Sequence, residues 1–180
     1  MKKITGIDLS LTATGIADVV LYAPGDLGGA AKTTALHTVK SHPSLPMEER
    51  LMRLLTDIRE LVSLSSLAVI EGLSFNSKGG GASERAALHW MVRCTLRSVK
   101  CPFLIVAPTM VKKFACGSGK AEKSTVVREV YRRWDVEASN DNEADAAVLA
   151  HIGIAYLDIE EAKTSFQQEV IHKLKQTNRI

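Results

Sequence analysis

The sequence predicts an α/β protein, a five-stranded mixed sheet flanked by helices, and three observations carry that reading. Two stretches dense in β-branched and apolar residues near the start are separated only by a short turn; Leu67 to Glu71 and Phe103 to Ala107 are short continuous apolar runs of the kind buried strands show; and such runs alternate with segments of helical periodicity. The chain has 180 residues, a length that suits one domain. At that size roughly 70% of the unfolded surface can be buried on folding, so a core needs no disulfide or structural metal.

Taken in order, Lys3 to Leu9 and Thr14 to Leu21 form a hairpin around Ser10-Leu11-Thr12-Ala13. Gly25, Gly28 and Gly29 mark a loop, alternation over Thr33 to Lys40 gives a third strand, and Pro43 and Pro46 close it. Met47, Leu51, Leu54, Leu55, Ile58, Leu61 and Val62 line one face of a helix whose other side carries Glu48, Arg53, Asp57 and Glu60. After the strand ending at Glu71 come a glycine-rich loop from Lys78 to Gly81, a helix from Ser83 to Val99, and the strand that stops at Pro108. Val126, Val127, Val130, Tyr131 and Trp134 form the apolar stripe of a further helix, and Asn142 to Leu157 is an alanine-rich, heavily apolar one. Residues 159–180 read as a charged terminal helix that extends the domain formed by residues 1–158.

No stretch approaches the ~20 apolar residues of a membrane span, and Met1-Lys2-Lys3-Ile4 runs into a strand pattern instead of a signal peptide, so a soluble cytoplasmic protein with no membrane partner is expected. Cys94, Cys101 and Cys116 lack CxxC or zinc spacing and are expected to be reduced core thiols. Net charge is only +3, but residues 112–133 hold seven bases, Lys112, Lys113, Lys120, Lys123, Arg128, Arg132 and Arg133, against Glu122 and Glu129. The rest of the chain is net acidic, so the basic stretch points to a polyanionic partner.

Asp8 and Glu71 stand at the ends of strands that are otherwise apolar. An unpaired buried carboxylate costs several kcal/mol and is retained with a partner, a raised pKa or a metal. Asp141 and Asp145, four apart at the start of the Asn142 helix, project from one face. Together these acids supply the hard oxygen ligands that Mg²⁺ or Mn²⁺ prefers. Asn142, three before Asp145, is a competing ligand, and Glu143 is better explained as the capping partner of Asn140. Arginine pairing or a rim position for the strand-end acids, and helix capping for Asp141, are the plainer alternatives. Gly117-Ser118-Gly119-Lys120 fails the nucleotide phosphate-loop pattern, because position 114 is not glycine and Ala121 replaces the required Ser or Thr. His37, His42, His89, His151 and His172 lack metal spacing, and His151 reads as a helix-packing residue.

Gly6-Ile7-Asp8 with Thr14-Gly15, then Val69-Ile70-Glu71, then Gly119-Lys120-Ala121-Glu122-Lys123-Ser124, then Glu143-Ala144-Asp145-Ala146-Ala147 resemble, in order and rough spacing, the RuvC family of Holliday-junction resolvases within the ribonuclease H-like superfamily. The resemblance covers about residues 3–156. It implies a ribonuclease H-like sheet and a crossover junction endodeoxyribonuclease that cuts four-way DNA junctions in recombination, replication or repair. Asp8, Glu71 and Asp145 become metal-binding catalytic acids of a site with two Mg²⁺ ions, Mn²⁺ substituting. Lys112 and Lys123, eleven apart as in the family, become the lysines beside the scissile phosphate. The implied products are paired nicks with 5′-phosphate and 3′-hydroxyl ends, which call for a twofold homodimer.

The family usually carries an acid where this chain has Asn142. Either Asn142 ligates through its amide oxygen or Asp141 substitutes from the preceding position, and charge favours Asp141. Phe75, beside Gly79-Gly80-Gly81, is a candidate to stack on an unpaired base, although the family's aromatic sits one residue nearer the glutamate; a core phenylalanine is the alternative. Lys78, Arg85, Lys113, Lys120 and Arg128 join Lys112 and Lys123 as candidate DNA contacts, against a solvated surface. His89, Trp90 and Cys94 read as core or dimer contacts. Three other functions compete: a related nuclease for flaps, branched DNA or RNA-DNA hybrids; a sugar-kinase or actin-like relative, for which the chain is too short; and a junction-binding protein with a dead site.

Overall fold

A computed structural model describes residues 1–22, 32–73 and 81–178. Five strands, β1 (Lys2–Asp8), β2 (Ala13–Leu21), β3 (Lys32–Lys40), β4 (Leu67–Glu71) and β5 (Phe103–Val106), form one sheet in the order β3-β2-β1-β4-β5. β2 runs antiparallel to β1 and β3, whereas β1, β4 and β5 are parallel, which is the mixed sheet the sequence predicts.

Side-chain alternation sends the strands' residues to two cores. Ile7, Ile16, Ala68 and Ile70 pack beneath α1 (Met47–Val62) and α2 (Ala82–Ser98). Ile4, Ala17, Val19, Leu67, Val69, Leu104 and Val106 pack against α3 (Pro108–Cys116), α4 (Lys123–Trp134), α5 (Asp141–Tyr156) and α6 (Ser165–Thr177). α1 buries its predicted stripe through Leu51, Leu54, Ile58 and Val62. α5 is buried nearly all round, from Ala146 through Ala155, so it is the central helix of its layer. α6 starts at a Thr164–Gln167 capping box and joins the same core through Val170, Ile171 and Leu174. Among the described residues no helix is long and apolar enough to cross a membrane.

Three expectations need correction. The sequence reading ends a strand at Pro108 and assigns no element before Val126, yet α3 fills part of that gap. Pro108 opens α3 because the first helical position needs no N–H, and Gly117, at φ 81°, closes it in the left-handed conformation. The terminal helix is shorter than 159–180, since its first turn begins at Ser165. Of the three cysteines, Cys101 alone is fully buried; Cys94 is exposed on the outer face of α2, one turn after Trp90, which is itself 58% exposed and so no core residue.

Candidate active site

The register of the parallel strands builds the site. Ile4 pairs with Leu67, Gly6 with Val69 and Ile7 with Ile70. One step further sets Asp8 beside Glu71, and alternation from Ile4 and Val69 turns both side chains toward α5. α5 lies close on that face because β1 and β2 present glycines beneath it. A Cβ on Gly6 would stand 1.9 Å from the Ala146 carbonyl oxygen, and one on Gly15 2.2 Å from that of Asn142. This seat delivers the first turns of α5, with Asp145, to the end of β1.

The start of α5 is firmly tied. Asn140 caps it by accepting from the Glu143 backbone N–H at 2.9 Å. The buried Glu143 carboxylate accepts from the Ser139 N–H at 2.9 Å and from the Thr38 hydroxyl at 2.6 Å, a structural role in keeping with its reading as a capping residue. Asn142 donates from Nδ2 to the Ala13 carbonyl at 2.7 Å. The turn after Asp8 is shaped by Thr14, whose buried hydroxyl donates to the Ser10 carbonyl and accepts from the Ser10 N–H.

Burial raises the pKa of each acid in this pocket. Asp8 is pushed up to about 7 by desolvation and then by the nearby Asp145 charge, although its hydrogen bond with Glu71 opposes this. Glu71 rises to about 8, through desolvation and then the Asp8 and Asp145 charges, with Lys112 opposing. Asp145 rises to about 6 by desolvation, against the pull of Lys112 and Lys123. Three carboxylates facing one another, Asp8 buried and Glu71 and Asp145 half-buried, disfavour ionisation, which is the condition a divalent cation relieves. Among the described residues no three His, Cys, Asp or Glu side chains are gathered tightly enough to cage an ion by themselves. Mg²⁺ takes only one or two carboxylates and fills its shell with water and substrate phosphate, so the donor set fits it.

Asp141 differs from these three. It forms an ion pair with Lys123, and that bond holds its carboxyl below the usual range while raising the lysine.

No family model matches the chain. The crossover junction endodeoxyribonuclease RuvC of Parasynechococcus marenigrum is similar to it, 26% identical over 155 residues that cover 84% of this chain and 97% of the relative. Thermus thermophilus RuvC superposes with a TM-score of 0.70 at 21% identity, over 87% of this chain and 96% of its own. The chain is RuvC-like. The same RuvC fold in the structure described as T. thermophilus RuvC in complex with Holliday junction substrate matches at a TM-score of 0.69 and 18% identity, over the same shares. The ribonuclease H-like sheet implied by the sequence motifs is therefore the one observed.

The RuvC-like fold gathers some predicted site residues and not others. Asp8, Glu71, Asp145, Lys112 and Lys123 converge, with Lys112 acting on Glu71 and Asp145 and Lys123 on Asp8 and Asp145. Lys113 turns away and pairs with Glu169 of α6 at 2.5 Å, so it fastens α3 to α6. Lys120, in the turn between α3 and α4, and Arg128, on α4, are exposed. Arg85 lies in the first turn of α2. Phe75 and Lys78 lie outside the described residues. Arg133 donates to the Ala115 carbonyl at 2.8 Å and packs over Phe166, a structural use of one base in the basic stretch.

Sequence reasoning left one positioning residue without its partner. His89 is buried on α2, and its Nε2 lies 3.0 Å from the Glu71 carbonyl oxygen. Burial lowers its pKa, and because a carbonyl only accepts, the neutral ring donates from Nε2 and fixes the Glu71 peptide from the opposite face of the sheet. The available signal is a histidine between Leu88 and Val92 on a buried stripe, which must find a hydrogen-bond partner. His151, by contrast, stacks on Trp134 at 4.3 Å and is driven down to about 3 by burial, in line with helix packing.

Proposed function

We propose that this RuvC-like chain is a divalent-metal-dependent endonuclease that resolves four-way DNA junctions. The observation that carries the reading is the convergence of Asp8, Glu71 and Asp145 from two parallel strands and one helix, with Lys112 and Lys123 beside them. The names of the similar RuvC proteins supply the substrate. Asp8, Glu71 and Asp145 would hold Mg²⁺, with Mn²⁺ as a substitute, two ions per site. When bound, such ions make water a stronger nucleophile and stabilise the leaving oxygen, which gives 5′-phosphate and 3′-hydroxyl ends. Lys112 and Lys123 offset the negative charge that builds on the phosphate during displacement. His89 keeps Glu71 in place while its carboxylate faces the reacting centre. Arg85, Lys120 and Arg128 extend the cationic surface for backbone phosphates, a contact that weakens with salt.

A junction offers two equivalent strands, so paired nicks call for two copies related by a twofold axis. The exposed Trp90 and Cys94 on the outer face of α2 suit the contact between them.

The test compares the purified chain with Asp8→Asn on four-way junction, flap and RNA-DNA hybrid substrates with Mg²⁺. The expected result is paired, ligatable nicks in the junction by the parent chain, and junction binding without cleavage by the variant. Unchanged cleavage by Asp8→Asn sinks the assignment of the site. Cleavage confined to flap or hybrid replaces the substrate, and tight junction binding by a parent chain that never nicks replaces the enzyme with a binding protein.

A further inference from the structure

Asp141 and Asn142 stand side by side at the start of α5, and the structure gives these two residues separate engagements. Asn142 spends its amide N–H on the Ala13 carbonyl and ties α5 to the start of β2. Asp141, the first residue of α5, pairs with Lys123, the first residue of α4. Among the described residues no lysine or arginine lies within salt-bridge distance of Asp8, Glu71 or Asp145, which are also more deeply buried than Asp141.

Building on the nuclease reading above, we infer that Asp141 is a positioning residue that holds the Lys123 ammonium at the rim of the acid pocket, and that the metal acids are Asp8, Glu71 and Asp145. Three physical points support it. First, a carboxylate already paired with an ammonium presents a divalent ion with a nearly neutral partner, so its attraction for metal is weak beside that of three acids lacking a bonded cation. Second, the Lys123 side chain is 67% exposed on a flexible stem, and fixing such a chain costs rotamer entropy. Asp141, itself held at a helix N-terminus where negative charge is favoured, does that fixing before DNA arrives. Third, an exposed ion pair adds little to stability, too little for fold maintenance to account for its placement between two helix starts at this pocket. When the scissile phosphate enters, its oxygens replace the Asp141 carboxylate as the partner of an ammonium that is already in place.

The test uses the full-length chain with Asp141→Asn, Lys123→Ala and the double substitution. Titration of Mn²⁺ followed by electron paramagnetic resonance, without DNA, reads ligation directly. Asp141→Asn is expected to bind Mn²⁺ within about twofold of the parent chain, because the Asp141 carboxylate is already engaged by the Lys123 ammonium and makes no bond to the ion. Single-turnover cleavage of a junction at saturating Mg²⁺ reads positioning: Asp141→Asn should be about tenfold slower in the parent background but less than about twofold slower in the Lys123→Ala background, as for two groups acting as one unit. A Mn²⁺ affinity about tenfold weaker in Asp141→Asn, or equal losses in both backgrounds, overturns the inference alone. A parent chain that binds no Mn²⁺, or cleaves no branched substrate, overturns the nuclease reading and this inference with it.

Discussion

The two faces of the sheet are built on different principles. Under α1 and α2 the contact is made by long side chains, Ile7, Ile16 and Ile70 against Leu54, Ile58, Leu88 and Leu96. Under the first half of α5 it is made by near absence of side chain, with Gly6 beneath Ala146 and Ala150 and Gly15 beneath Asn142 and Glu143, so that helix backbone rides almost on strand backbone. Large side chains can shift rotamers and absorb small errors, whereas backbone against backbone leaves no such slack. The acids Asp8, Glu71 and Asp145 lie on the second face, where relative position is best defined.

Neighbouring residues of β1 break the comparison most sharply. Gly6→Val drives two branches into the Ala146 carbonyl and should cost more than about 3 kcal/mol or prevent folding, whereas Ile7→Val, on the other face, should cost about 1 kcal/mol. Urea denaturation of both variants measures the difference, and similar losses would show that the close approach of α5 is not what sets the fold.

A smaller effect separates the faces by charge. The folded protein holds the Asp145 proton more tightly than the unfolded chain, so without metal the carboxylate lowers stability as pH rises from about 4 to about 6. Asp145→Asn should therefore raise Tm at pH 7.5 by several degrees, on the order of 1–3 kcal/mol, and leave it nearly unchanged at pH 4. Mg²⁺ should raise the Tm of the parent chain at pH 7.5 and much less that of the variant. A variant less stable than the parent at both pH values would show that the carboxylate is satisfied in the protein alone.

The smallest effect crosses from one face to the other. His89→Ala removes the donor that reaches the Glu71 carbonyl from behind and should slow cleavage by about tenfold with little change in junction affinity. His89→Gln, which can still donate, should recover most of that loss. Equal impairment by both, or an affinity loss matching the rate loss, would reduce His89 to a packing residue.

The same contrast explains what could be read in the sequence. The α1 stripe is plain because one face is apolar and the other charged. α5 carries almost no amphipathic signal, being buried all round, yet its alanines and the preceding Asn140 still mark it. Asp8 and Glu71 stood out because a charge at the end of an apolar strand needs a reason. What stayed hidden depends on partners distant in the chain. Lys113 meets Glu169, His89 meets Glu71, and Lys123 meets Asp141, none of which local periodicity encodes. Four-residue spacing puts Asp141 and Asp145 on one helix face, but it cannot show that a lysine from α4 reaches Asp141. α3 was missed for a local reason: at nine residues it is too short for a clear period, and its proline looks like a stop when it is a start.

The burial of α5 also bears on motion. Its interior amides, enclosed by the sheet and by α3, α4 and α6, can exchange with solvent deuterium only when the whole domain opens, whereas Asp141 at its first turn has a backbone N–H outside the helical ladder. Asp145 thus belongs to the slowest-opening part of the molecule, whereas the Asp141 N–H, four residues earlier and outside the helical ladder, needs no opening to exchange. A deuterium exchange map would draw a sharp boundary within that single turn, with the residue that must stay still on one side and the residue that must let go of its lysine on the other.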